Sequence, residues 1–203
     1  MNFVIEFEGY FLSRGFVMKE LSILSLDDPS YKHFFIKPPC SYEWLSAKDK
    51  RIVRYCENNL HKIHWYAGND KFNEVRDFLG KLDRSTTVYT KGLEKKNVLT
   101  EIIQIPATVK DISELNPTAL SQWKDESGGM ITAEKSCPLP FHKGILNCSH
   151  QKAYMVKHFY KQNENEQVYS EESGVSPGDL EMQCAGEKPN HSESITGPDQ
   201  SLN

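Results

Sequence analysis

The 203-residue sequence contains no apolar run long enough to cross a bilayer as a helix, which takes roughly 20 residues. Its N-terminus reads MNFVIEFEGYF and has acids inside the apolar stretch, whereas a secretory signal begins with basic residues followed by an uninterrupted apolar segment. These absences argue against a helical membrane protein. They predict a soluble protein that is not secreted, is located in the cytoplasm, the nucleus or both, and has no membrane among its partners.

Cysteine is also scarce, and several catalytic motifs are missing. The five cysteines are an odd number and too few for the dense disulfide framework of a small secreted domain. The sequence lacks a G-x-S-x-G nucleophile elbow, a Walker A phosphate loop and a G-x-G-x-x-G dinucleotide fingerprint. We therefore expect reduced thiols, some of them available to a metal, and no site of these three types. The cysteines are Cys40, Cys56, Cys137, Cys148 and Cys184.

Basic residues are nearly absent from the C-terminal part of the chain. Residues 161–203 hold two basic and nine acidic residues, whereas residues 1–160 hold 22 basic and 19 acidic ones. The C-terminal part also lacks Phe and Trp and is interrupted by Gly, Ser and Pro. Such a segment cannot bury enough apolar surface to offset the entropy lost on ordering. We predict one folded domain over residues 1–160 and a disordered acidic tail over residues 161–203.

The hydrophobic pattern of residues 1–160 predicts a mixture of strands and helices. Period-2 alternation and β-branched or aromatic content favour five strands, and apolar residues at helical spacing favour four helices. The expected strands cover 3–12, 16–26, 31–38, 86–91 and 107–112, and the expected helices cover 41–60, 73–82, 92–103 and a segment opened by Cys148. The first three strands, joined by short turns, form an antiparallel meander. The whole order predicts an α/β fold with an RNase H-like mixed sheet and flanking helices.

A cluster of cysteine and histidine residues directly precedes the last predicted helix. Cys137, His142 and Cys148 follow the spacing Cys-x4-His-x5-Cys. Thiolates and imidazoles are preferred zinc ligands, and a structural zinc takes four ligands in a tetrahedron. The fourth ligand is missing locally and is either His150 or an acid from far upstream. The alternatives are ordinary buried thiols with a surface histidine, or a cysteine nucleophile next to His142 or His150.

Three features together resemble the Maelstrom domain, a divergent member of the RNase H-like and DEDD exonuclease fold class. They are the strand VMKELSILSL with one embedded glutamate before YKHFFIKP, the loop HKIHWYAGN between helices, and the cysteine-histidine cluster. The resemblance covers roughly residues 1–160. It implies a structural zinc held by Glu20, Cys137, His142 and Cys148. It also implies single-stranded RNA or RNA-silencing proteins as partners and a role in small-RNA (piRNA) silencing of mobile elements in the germline.

An acid pair on the first predicted strand is relevant to nuclease activity. Glu6 and Glu8 stand where a DEDD exonuclease carries two of the four carboxylates that bind two Mg²⁺ ions. After the fourth strand the nearest acid is Glu94, which is surrounded by lysines that repel Mg²⁺. The closing helix offers no carboxylate at the expected place but Gln151, Lys152, Lys157 and His158. We predict that Glu6 and Glu8 are vestigial catalytic residues. The alternatives are a solvated strand face or an unusual single-stranded RNA nuclease.

Basic residues interleaved with aromatic ones provide the remaining functional signal. Cationic side chains attract phosphates and aromatic rings stack on unpaired bases, so the mixture is typical of single-stranded nucleic-acid binding. We predict RNA contacts by Lys91, Lys95, Lys96, Arg51, Arg54 and Lys62. We expect Trp44, Trp65 and Tyr66 in the core or an interface. Because the domain is only weakly basic, a protein-interaction module without nucleic-acid binding is the alternative.

Overall fold

A computed structural model describes residues 1–115, 117–123 and 148–173 of this chain. The chain divides into two compact units, Met1–Asn163 and Glu164–Asn203. The first unit contains the whole sheet, and of the second only the last turns of the final helix are described. None of the helices within the described ranges is both long and apolar enough to cross a membrane.

Five strands and four α-helices make up the described part of the chain. The strands are β1 (Asn2–Leu12), β2 (Gly15–Ser25), β3 (Tyr31–Phe35), β4 (Thr87–Thr90) and β5 (Thr108–Asp111), and the helices are α1 (Ala47–Asn59), α2 (Phe72–Leu79), α3 (Leu93–Asn97) and α4 (Ser149–Ser173). A π-helical segment, Val98–Ile103, continues α3. Every predicted strand and helix is present, so the predicted α/β class is confirmed.

The strands form one mixed sheet in the order β3-β2-β1-β4-β5. Strands β1, β2 and β3 pair antiparallel as a meander, whereas β4 is parallel to both β1 and β5. The predicted meander and mixed sheet are therefore confirmed. The register of β1 with β2 shifts between Glu8 and Gly9, and a Cβ atom on Gly9 would lie 2.2 Å from the Val17 carbonyl oxygen. Glycine is required there because the two backbones approach too closely for any side chain.

The two faces of the sheet differ in chemistry, because successive side chains of a strand point to opposite faces. One face is largely apolar and packs against α2 and the π-helical segment through Ile5, Phe7, Leu21, Ile23, Val75, Leu79, Val88, Leu99 and Val109. On the other face, Val4, Leu24 and Tyr89 pack against Ala153 and Val156 of α4. Polar side chains continue this second face along β1 and β2, so α4 covers a surface that is partly apolar and partly charged.

Helix α4 is longer than the sequence predicts. It begins at Ser149, directly after Cys148 as expected, but continues to Ser173. Residues 161–173 are therefore helical, whereas the sequence pattern predicts disorder from Lys161 onward. The added turns contain four Glu and two Gln residues, which are good helix formers, and they extend a helix that is already nucleated. Residues 174–203 of the predicted tail lie outside the described residues.

Helix α1 is shorter at its N-terminus than the predicted range 41–60. It begins at Ala47 because the Ser46 hydroxyl accepts a hydrogen bond from the Asp49 backbone N–H, 3.1 Å away. This bond satisfies one of the amide groups that a helix start leaves without a partner. The preceding residues form a separate 3-10 turn at Tyr42–Trp44.

Candidate functional site

Three carboxylates lie on the sheet face that α4 covers. Glu6 and Glu8 are on the same side of β1, and the β1–β2 register places Glu20 directly opposite Glu8. The side chains of Glu6 and Glu20 are completely buried. A buried carboxylate is costly unless it is paired or hydrogen-bonded, so the partners of these acids determine the chemistry of the face.

Glu6 binds the turn between β4 and α3. Its carboxylate accepts a hydrogen bond from the backbone N–H of Lys91, 2.6 Å away, and one from the Thr90 hydroxyl at 3.3 Å. It also forms an ion pair with the Lys95 ammonium. Glu6 is therefore held at the point where β4 passes into α3.

Lys95 of α3 lies between Glu6 and Glu8. Its ammonium contacts the Glu6 carboxylate and lies 3.6 Å from Oε1 of Glu8. Burial opposes the positive charge, but Glu6 and Glu8 outweigh it and raise the pKa of Lys95 above its ordinary value. Lys152 of α4 contacts the same Glu8 oxygen at 2.5 Å. Two carboxylates and two ammonium groups thus form a neutral network, which we call the lysine-acid network: Glu6, Glu8, Lys95 and Lys152.

A fourth acid near this network, Asp111, was not predicted as a site residue. It ends β5 and accepts hydrogen bonds from the backbone N–H groups of Gly92 and Ser113, each at 2.8 Å. Burial by itself would raise the pKa of Asp111, but the two hydrogen bonds stabilise the charged carboxylate more strongly, so its pKa is lowered. The sequence did contain a signal, because an aspartate at the end of a predicted strand and just before a turn is typical of a residue that binds backbone amides.

Glu20 is the centre of a second polar cluster. Its Oε1 atom lies 2.8 Å from Nε2 of His33 and accepts a long hydrogen bond, 3.7 Å, from the Cys148 thiol. Its other oxygen accepts the backbone N–H of Ser149 at 3.1 Å. Glu20 and Cys148, two of the four predicted metal ligands, are thus in contact although 128 residues separate them. Both side chains are buried.

The other two predicted ligands, Cys137 and His142, lie outside the described residues. Within residues 1–115, 117–123 and 148–173, no group of three or more His, Cys, Asp and Glu side chains is arranged to hold a metal ion. The alternative ligand His150 is buried in the first turn of α4, with its ring centroid 4.5 Å from that of Tyr31. His33 was missed by the sequence analysis, because only the β2–β3 register brings it beside Glu20.

The predicted RNA-binding residues divide into two groups. In the first group, Lys95 belongs to the lysine-acid network, Lys96 pairs with Glu114 at 3.3 Å, and the Lys91 ammonium lies 5.0 Å from the centre of the Trp123 ring. Burial also lowers the pKa of Lys91. The second group is on and after α1. Arg51 and Arg54 are exposed there, and the Lys62 ammonium donates to the Asn58 carbonyl.

The aromatic residues near α1 also differ in burial. Trp65 is buried in the core, as predicted, and its indole N–H donates to the Cys40 carbonyl at 3.0 Å. Trp44 and Tyr66 are 80% and 60% exposed, so of the two expected locations, core or interface, they do not lie in the core. Tyr55, on the outer side of α1 near Arg51 and Arg54, is 59% exposed. Exposed rings and cations are therefore combined on this helix.

Comparison with known proteins does not assign this chain to a family. No protein-family model matches the sequence, and no curated protein is significantly similar to it.

Proposed function

We propose that this chain is an RNase H-like domain, stabilised by zinc, that lacks four-acid nuclease catalysis and binds single-stranded RNA. The observation that carries the proposal is the position of Lys95, whose ammonium lies between Glu6 and Glu8. The order of three meander strands, two parallel strands and flanking helices supports the fold class. The resemblance to the Maelstrom domain supports both the zinc and the RNA.

The lysine-acid network argues against two-metal catalysis. Such a mechanism needs several carboxylates that together hold two Mg²⁺ ions on either side of the scissile phosphate. Here α3 supplies Lys95, which pairs with both Glu6 and Glu8, and α4 supplies Lys152, which pairs with Glu8. A divalent ion would have to displace an ammonium group whose pKa the two acids already raise. Glu6 and Glu8 therefore hold α3 and α4 against the sheet in this proposal.

The outer side of α1 is the better candidate for an RNA contact. Among the described residues, neither Arg51 nor Arg54 forms an ion pair with an acid, whereas Lys95 and Lys96 do. Tyr55 adds an exposed ring to the same helix. Exposed cations bind phosphates and an exposed ring stacks on unpaired bases, so this surface suits a single strand. We propose Arg51, Arg54 and Tyr55, with Lys62 beside them, as the RNA-binding surface.

Reversing both arginine charges tests this surface. We expect Arg51→Glu combined with Arg54→Glu to weaken binding of a single-stranded RNA oligonucleotide at least about tenfold at low salt, because two phosphate contacts are lost. The slope of log affinity against log salt should also become shallower by about 1.4. Fluorescence anisotropy of the labelled oligonucleotide, titrated with the full chain at several salt concentrations, measures both effects.

The matched control is Lys81→Glu combined with Arg84→Glu, which changes the net charge equally at two other exposed positions. We expect this control to bind RNA almost as tightly as the wild type, with only the small loss of affinity that a more negative net charge causes. Equal losses in the two double variants would contradict a specific surface on α1. Absence of any salt-dependent RNA binding by the wild type would favour the alternative function, a protein-interaction module.

The proposed zinc has Glu20, Cys137, His142 and Cys148 as its ligands. The contact between the Glu20 carboxylate and the Cys148 thiol supports this set, because it brings a hard and a soft ligand together in a buried place. His33 would then orient the Glu20 carboxylate through its hydrogen bond. With four protein ligands the ion is structural and ties the start of α4 to β2.

Zinc content tests the metal directly. We expect about one zinc per chain in protein purified without added metal, and its loss in Cys148→Ser, because a structural zinc needs all four ligands. The loss should also lower the melting temperature, since metal binding and folding are coupled. Cys56→Ser is the matched control, because Cys56 is also a buried thiol but packs beside Tyr10 and Trp65. Wild-type protein without zinc, or equal zinc in both variants, would overturn the metal proposal.

The partners proposed by resemblance extend beyond RNA. The Maelstrom-like features suggest RNA-silencing proteins as further partners and small-RNA silencing in the cytoplasm or nucleus as the process. This extension rests on the resemblance alone.

A further inference from the structure

Two adjoining cavities lie beside the turn of the β1–β2 hairpin. Each encloses about 590 Å³, within the range of ligand-binding clefts. They share Phe16, Val17 and Pro39 as a common wall. We call the two cavities together the hairpin groove, and these three shared residues form its centre. The lysine-acid network contributes no residue to it.

Each of the two cavities is lined by a large aromatic side chain that is exposed to solvent. Phe72, at the start of α2, lines one cavity and is 40% exposed, and Trp44 lines the other and is 80% exposed. A single exposed apolar residue is common, but exposed aromatic rings next to a concave apolar surface are typical of an interaction site. Tryptophan in particular is enriched among the residues that dominate binding energy in protein interfaces.

The rim of the groove is positively charged. Lys37 and Lys71 line the first cavity and Arg14 lines the second, and all three are exposed. None of them forms an ion pair with any residue that the structure describes. Asp49, the one acid among the described lining residues, accepts hydrogen bonds from Ser13 and Ser46, which lower its pKa. The groove therefore offers an apolar floor between cations.

We propose that the hairpin groove binds an extended segment of a partner protein that combines apolar side chains with aspartate or glutamate. The charge of the rim selects the acids, and the apolar walls select aliphatic or aromatic side chains between them. Two cavities separated by a shared wall favour a chain that places one side chain in each. An extended segment does so, because its alternate side chains point to the same face.

This proposal does not depend on RNA binding. The surface proposed for RNA is formed by Arg51, Arg54 and Tyr55, and none of these lines either cavity. Variants of the two surfaces can therefore be compared in the same protein, and failure of one proposal leaves the other measurable.

The probe is a fluorescein-labelled peptide of about 12 residues in which Asp or Glu alternates with Leu or Trp, titrated with the full chain. We expect saturable binding that weakens about tenfold or more in Trp44→Ala combined with Phe72→Ala, and in Lys37→Glu combined with Lys71→Glu. A peptide with Lys in place of the acids, and one with Ser in place of the apolar residues, should not bind. One matched control is Leu93→Ala combined with Leu115→Ala, which changes exposed apolar residues outside the cavities. The other is Lys81→Glu. The peptide affinity of both controls should be within about twofold of the wild-type affinity.

Three outcomes would overturn the proposal. They are the absence of binding by the wild type, equal binding of the basic peptide, and equal loss in the groove and control variants. Circular dichroism of each variant shows whether it remains folded. If the groove variants lose RNA binding while peptide binding is unchanged, the groove is a nucleic-acid surface and the proposal is wrong. Unchanged peptide binding in Arg51→Glu combined with Arg54→Glu would support two separate surfaces.

Discussion

Replacing Lys95 with methionine should destabilise the protein by about 3–5 kcal/mol, the usual cost of removing one partner from a buried ion pair. Without Lys95, the fully buried Glu6 loses the cation that separates it from Glu8. It keeps two hydrogen bonds, one from the backbone N–H of Lys91 and one from the Thr90 hydroxyl. The pKa of Lys95 is raised above 10.5. Its stabilising effect is therefore fully present at neutral pH and is lost only as the pH rises through that raised value.

Lys96→Met is the matched control for Lys95→Met. Lys96 is the next residue of α3, but its ion pair with Glu114 is largely exposed. Exposed pairs contribute little, so we expect a change below about 1 kcal/mol. Urea denaturation at pH 7 gives the free energy of unfolding of both variants. Equal free energies of unfolding for Lys95→Met and Lys96→Met would show that the lysine-acid network does not stabilise the fold.

Magnesium provides a second measurement on the same variants. We expect Mg²⁺ to leave the melting temperature of the wild type unchanged and to raise that of Lys95→Met, because removal of Lys95 leaves Glu6 and Glu8 with one lysine of the network, Lys152, and so with a net negative charge that attracts a cation. Stabilisation of the wild type by Mg²⁺ to the same extent would contradict the proposal that Lys95 excludes a metal.

Replacing Lys19 with methionine should also destabilise the protein strongly, by about 3 kcal/mol or more. Lys19 is fully buried, and its ammonium donates three hydrogen bonds, to the carbonyl oxygens of Ile36, Trp65 and Ala67 at 2.7, 2.8 and 2.6 Å. Each buried carbonyl left without its donor costs about 1–3 kcal/mol. The loss is partly offset because the variant no longer buries a charge.

The effect of Lys19 should depend on pH. Burial lowers its pKa from 10.5 to about 7. Between these two values the folded protein has released a proton that the unfolded chain still holds, so the contribution of Lys19 to the free energy of unfolding rises with pH. The stability difference between wild type and Lys19→Met should therefore grow from pH 7 upward, by at most about 1.4 kcal/mol per pH unit.

The control for Lys19→Met is Lys37→Met, which changes an exposed lysine close in space to Ile36. We expect a change within about 0.5 kcal/mol and no pH dependence. Guanidinium denaturation at pH 6, 7, 8 and 9 gives the comparison. A stability of Lys19→Met equal to that of the control at every pH would mean that the three carbonyl contacts contribute nothing.

Two of these three contacts hold the loop between α1 and α2 in place. They join β2 to Trp65 and Ala67 of this loop, in which Trp65 is buried and Gly68 has a φ angle of +115°. A Cβ atom on Gly68 would lie 2.3 Å from the Ile36 carbonyl oxygen. The loop is therefore packed against the end of β3. Some of its histidine and aromatic side chains are buried, such as His61 and Trp65, whereas Tyr66 is exposed.

Local patterns in the sequence are sufficient to predict the strands and helices and much of their order. Alternation and β-branched or aromatic content predicted the strands, and helical spacing predicted α1 and the start of α4. These patterns are local, so they can be read without knowing what each element packs against. Sequence pattern and structure differ at residues 161–173, where the acidic composition predicts disorder and α4 continues as a helix.

Which polar residues contact one another depends on the three-dimensional fold and cannot be predicted from local patterns. Lys95 and Glu6 are 89 residues apart, and Glu20 and Cys148 are 128 apart. A one-residue change in strand register would turn Glu6, Glu8 and Glu20 to the opposite face. The sequence supplied both the acids and the lysines, but their pairing follows from strand register and from the way α3 and α4 pack on the sheet. That pairing makes Lys95 part of the buried network and leaves Arg51 exposed, although both appeared in the sequence as equivalent basic residues.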